Sequence, residues 1–279
     1  MRIVSILITC LLFCNKPFAQ NLDETYALAT ALFESGAELQ AASHFQRVIY
    51  FGYGKYDADC FKKLAAIAIK NKDYQQAAIY LNGAASAEKN VSERDLLLVR
   101  RANLLILLGE NQLALQDLLS ISDNATDTVL KNRDFLAGTI YFLDTEFDLA
   151  AQSFAACFKN DLEKELVKTW MKQASAIKHP NPRKAKRLSK YLPGLGQFYA
   201  GDIKNGLNSL LLAGFFVYTT INTAITYTYI EAALSIAPWL QRYYQGGFTR
   251  AELIAQNKLD RKRFKYYEKV VQLLENSQR

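Results

Sequence analysis

The sequence predicts an all-α protein, a helical-repeat solenoid followed by a short transmembrane helical region. Three observations predict it. The five prolines, Pro17, Pro180, Pro182, Pro193 and Pro238, all lie outside residues 20–179, and a proline-free run of that length favours unbroken helices. Inside that run, four segments align at separations of 36, 37 and 36 residues. Beyond it, Asn205–Ile230 carries 26 consecutive residues without a charge, more than the roughly 20 that cross a hydrocarbon core.

The amino terminus reads as an export signal covering residues 1–19. Arg2 precedes the uncharged, mostly apolar run Ile3–Phe13, and Phe18-Ala19 supplies a small residue before a cleavage point. Eleven residues make a helix of roughly 16 Å, about half a bilayer core, so the run suits a signal better than a span. The bulky Phe13 before Cys14 argues against acylation there. After cleavage only Cys60 and Cys157 remain, and both read as buried free thiols.

Residues 20–178 read as four repeats plus a capping helix. The anchor positions are Ala41, Ala77, Ala114 and Ala150. Twelve residues before each stands a small residue: Ala29, Ala65, Ala102 and Gly138. Four residues after each stands a bulky one: Phe45, Leu81, Leu118 and Phe154. A polar turn separates the two small positions, so each unit reads as two antiparallel helices. Small facing residues let the backbones approach, and the bulky face fills the gap to the next unit. No such unit buries its apolar face alone, so stacking must supply the core.

This small, small, large signature resembles the tetratricopeptide repeat family. The likeness covers about half of the chain. The period is longer than that family's, and its early tryptophan and terminal proline are missing. The resemblance implies a helical solenoid whose groove takes a protein or peptide partner. After the last repeat, Asp161 is expected to cap a terminal helix running to Lys178, with Leu162, Leu166, Val167, Trp170 and Ile177 as its apolar positions.

His179-Pro-Asn-Pro182 is expected to stop that helix, leaving residues 179–192 as a basic linker. Arg183, Lys184, Lys186, Arg187 and Lys190 there suit an anionic membrane surface. Residues 193–248 form the expected membrane domain, with Gly206–Tyr227 as its span. Asn208, Ser209, Thr219, Thr220, Asn222, Thr223 and Thr226 lie in the span and favour a partner helix, hence a possible homo-oligomer. Tyr229–Tyr244 is a second, shorter apolar stretch, with Trp239, Arg242, Tyr243 and Tyr244 suited to the lipid–water boundary. One and two crossings both remain open. The basic flanks on either side carry equal net charge, which suits a hairpin but sits awkwardly with export.

Ahead of the span stands Pro193-Gly194-Leu-Gly196-Gln197-Phe198-Tyr199-Ala-Gly201, with Gly206 five residues on. This P-G-x-G-Q-F-Y-x-G segment resembles the helical-hairpin membrane domains at the ends of exported bacterial repeat proteins. It also looks like part of a two-span domain family sharing the F-Y-x-G core. The likeness covers about fifteen residues. That two-span family has an apolar helix where this chain is basic. No strand precedes the glycines and no G-K-[ST] follows them, so the segment is unlike a nucleotide loop.

Thr249-Arg-Ala-Glu252 reads as a capping box opening a basic amphipathic helix over 249–279. Phe264, Tyr267, Val271 and Leu274 form its apolar stripe, suited either to a membrane surface or to packing on the hairpin. The formal charge of +7 is concentrated in the last hundred residues. With an export signal and no recognised nucleic-acid module, that charge points to membrane lipid rather than nucleic acid.

Two histidines, His44 and His179, leave little material for zinc or Ser-His chemistry. No metal spacing, cofactor loop or nucleophile–base pair stands out, so neither metal nor cofactor is expected. The function expected is therefore non-enzymatic: a membrane-anchored interaction scaffold or assembly factor at a bacterial cell envelope, its repeats in the periplasm. The alternative is a membrane-embedded enzyme or transport-associated subunit acting on lipid or glycan, with Glu231, Asp202, Gln197 and Tyr199 as its candidate groups.

Overall fold

The computed structural model describes residues 21–52 and 54–277. The expected export signal lies outside the described residues. Fourteen helices and no strand occur among those described. Two compact units result, the first running to Ile140 and the second from Tyr141.

The first unit contains α1 (Leu22–Glu34), α2 (Glu38–Phe51), α3 (Asp57–Lys70), α4 (Tyr74–Ala87), α5 (Val91–Leu108), α6 (Asn111–Leu119) and most of α7 (Asp127–Leu143). Each helix from α1 to α5 packs on the next in the chain. Polar side chains start three of them. Asn21 accepts from the Asp23 amide, Asp73 from that of Gln76, and Asn90 from that of Ser92, which satisfies donors a helix start leaves open.

One turn geometry recurs five times among the described residues. The bonds are Ala37 N–H to Leu32 O, Asp73 to Ala68, Glu110 to Leu105, Glu146 to Tyr141 and Asp202 to Gln197. Each donor follows a residue with positive φ: Gly36, Lys72, Gly109, Thr145 and Gly201. Glycine takes that conformation without strain, and Lys72 and Thr145 do not.

Ala29, Ala41, Phe45, Ala65, Ala77, Leu81, Ala102, Ala114 and Leu118 are all buried in the first unit, as is Gly138. Ala150 and Phe154 are buried in the second. Cys60 and Cys157 are both buried and neither is in a disulfide. Burial pushes the Cys60 thiol up to about 12, with Asp59 and Asp57 adding to the effect. Thiolate is the reactive form. Maleimide at about pH 8 is therefore expected to label Cys60 slowly in the folded chain and rapidly in urea. Equal rates, read by mass spectrometry, would refute this burial.

The second unit begins within α7 and continues through α8 (Phe147–Ala156), α9 (Asp161–Ala176), α10 (Pro182–Tyr191), α11 (Leu195–Tyr199), α12 (Ile203–Thr226), α13 (Tyr229–Ser235) and α14 (Ala237–Ser277). α14 has 41 residues and packs on α9, α10, α11, α12 and α13.

Several sequence expectations are corrected here. Asn160, not Asp161, caps α9, accepting from the Leu162 amide at 3.0 Å. Val167, Met171 and Ala174 form the buried face of α9, while Leu162 and Leu166 are exposed. Residues 182–191 are a helix rather than a linker, because Pro182 sits at the first helical position and Asn181 caps the Lys184 amide. No helix starts at Thr249. α14 runs straight through it, and the Thr249 hydroxyl donates back to Gln245 O. The expected surface stripe of α14 turns inward at Tyr267, whose ring lies 5.4 Å from Phe142 and 6.0 Å from Phe154.

Candidate functional site

The residues of the P-G-x-G-Q-F-Y-x-G segment meet at the root of α12. Gly194 caps α11 with φ +94, and its Cα faces the Gly206 carbonyl so closely that a side chain has no room. Gly196 lies flush against the Ala185 carbonyl of α10. Gly201 turns the chain with φ +74, and its carbonyl accepts from Lys258 Nζ at 2.9 Å. A Cβ at Gly206 would fall 2.7 Å from the Phe198 ring, so this glycine makes the socket for that ring.

Gln197 is 1 % exposed and ties three helices together. Its Oε1 accepts from Ser189 Oγ of α10 at 2.8 Å, and its Nε2 donates to Gly247 O of α14 at 2.9 Å. Ser189 Oγ in turn accepts from the Gly196 amide at 2.9 Å. Every polar atom in this knot has a partner, which is what burial demands. The Tyr199 hydroxyl accepts from the Asn181 amide at 3.2 Å and lies 3.3 Å from His179 Nδ1. Asp202 caps α12 through the Asn205 amide. The Asn205 side chain, then its backbone, hold the Asp202 carboxyl below the usual range.

Beside the knot lies a cavity of about 700 Å³ between α12 and α14, with Pro193 and Gln197 at one end. Asn208, Ser209 and Leu212 line the α12 wall, and Trp239, Arg242 and Arg250 the α14 wall. The Phe216 and Tyr243 rings stack at 4.8 Å between the two helices. Of the residues expected at a membrane surface, Arg183, Lys184, Arg187 and Lys190 are exposed. Lys186 is paired with Glu252 at 2.6 Å. Lys184 lies over the Tyr199 ring and Lys190 over that of Phe248.

The sequence drew attention to the glycines and Gln197 but not to Ser189, the partner they need. The available signal was Ala185 and Ser189 four apart, two small residues on one helix face. The four groups weighed for catalysis are not gathered. Gln197 lines the cavity, whereas Glu231, Asp202 and Tyr199 do not. Among the described residues no group of three or more His, Cys, Asp or Glu is placed to hold a metal ion.

α12 has 24 residues and is the one helix among those described that is long and apolar enough to cross a membrane. None of its most apolar window is buried. No family model and no curated protein sequence matches this chain.

Proposed function

We propose that this chain is a membrane-anchored helical-repeat protein, acting as an interaction scaffold or assembly factor at the cell envelope. The observation that carries the reading is the exposure of α12. A core helix of a water-soluble domain hides its apolar face, whereas Leu211, Phe215, Tyr218, Ile221 and Ile225 all stand exposed along α12. A helix of about 36 Å fits a hydrocarbon core with modest tilt.

Two further features support the reading. The matching buried positions of the four segments favour tetratricopeptide-like repeats over 24–158. A cavity of about 680 Å³ in the first unit, lined by Glu38, Gln40, Asp73, Gln76 and Tyr80, offers a partner segment both polar and apolar contacts. The bonds engaging Gln197, Tyr199 and Asp202 favour anchoring over catalysis. With an export signal at residues 1–19, the repeats would face the periplasm.

The test is membrane extraction. The full chain is expected to stay with membranes through an alkaline carbonate wash and to need detergent for release. Leu211→Lys with Phe215→Lys should move it to the soluble fraction, since a lysine near the centre of a span costs about 2.5–3.5 kcal/mol. Wild-type chain recovered in the soluble fraction without detergent would overturn the anchor.

A further inference from the structure

Resting on the membrane reading, we propose that the cavity between α12 and α14 binds the phosphodiester headgroup of an anionic glycerophospholipid. Arg242 and Arg250 are eight residues apart on α14, so they share one face about 12 Å apart. Gly246 lies between them on that face, with nothing within 4 Å of where its Cβ would be. The missing side chain leaves a gap into which both guanidinium groups can converge.

Neither guanidinium makes a hydrogen bond or ion pair among the described residues. Arg250 is within electrostatic reach of Asp202, whose carboxylate is already bound to Asn205 Nδ2 at 2.7 Å. Asn208 and Ser209 face the same space from α12. Guanidinium forks match phosphate oxygens in geometry and charge.

Depth argues for lipid over a free anion. α12 and α14 run antiparallel here, because Gly247 lies against Ser209 while Tyr243 stacks on Phe216. Arg242 therefore sits further along the apolar helix than Arg250. An unpaired arginine beside a span is costly unless an anion accompanies it. A phospholipid brings that anion to this depth, and its acyl chains can follow the wall that Leu212 and Ala213 begin. Two arginines facing one phosphate favour an anionic lipid over phosphatidylcholine, which brings its own cation.

The experiment uses the purified full chain in detergent, with native mass spectrometry scoring retained phosphatidylglycerol against phosphatidylcholine. Wild type should retain phosphatidylglycerol about tenfold better. R242Q with R250Q, both exposed and so not needed for folding, should abolish the preference. R47Q, exposed in the first unit and outside the cavity, should keep it. Equal retention of the two lipids by wild type, or an unchanged preference in the double variant, overturns the proposal. Inorganic phosphate binding as well as the lipid does would overturn the lipid source. Flotation with phosphatidylcholine vesicles separates the two readings. A chain that floats yet shows no lipid preference is anchored without this site, whereas one that fails to float lacks the anchor itself.

Discussion

Gly196→Ala is expected to cost roughly 3–5 kcal/mol in the second unit, from overpacking and broken polar pairing together. The added methyl would press on the Ala185 carbonyl and lie 2.5 Å from Ser189 Oγ. Backbone cannot step aside as a flexible side chain does, so α11 must lift off α10. That movement strains the Ser189–Gln197–Gly247 chain and leaves buried polar atoms short of partners. Gly214→Ala is the control. It lies mid-helix, and nothing stands within 4 Å of the new atom, so it should be neutral or stabilising by up to about 1 kcal/mol. Thermal unfolding of both variants in detergent, followed by circular dichroism, compares them. Equal melting temperatures would show that α10 and α11 do not pack as described.

Phe45→Ala is expected to cost about 3–5 kcal/mol in the first unit. The ring is fully buried and meets Phe33 edge-on at 6.2 Å. Its neighbours Ala29 and Ala41 are too small to refill the space. Leu39→Ala on the same helix should change stability by no more than about 0.5 kcal/mol, because Leu39 is 88 % exposed. Urea titration of the two variants measures the contrast. A small loss for Phe45→Ala would mean that this core collapses around the gap.

These two sites differ in how far the sequence discloses them. Phe45 was legible because its burial follows from short-range periodicity repeated in Leu81, Leu118 and Phe154. The helical class and the apolar α12 were legible for the same local reason. The role of Gln197 was not, since its partners lie 8 and 50 residues away. α10 was missed because Pro182 was read as a stop, although proline opens a helix as readily as it ends one. Thr249 and Glu252 carry the spacing of a capping box, but helical packing from Ala237 onwards overrides it. Lys72 and Thr145 give no compositional sign of positive φ, because the neighbouring helices impose it.

One hydrogen bond has a mechanical consequence. α14 is a rod of about 60 Å, and adjacent glycines at 246 and 247 give it a natural hinge. The Gln197 amide grips the carbonyl at that point. Removing that grip, as in Gln197→Ala, is expected to loosen the rod at those glycines, so that its two ends move more independently.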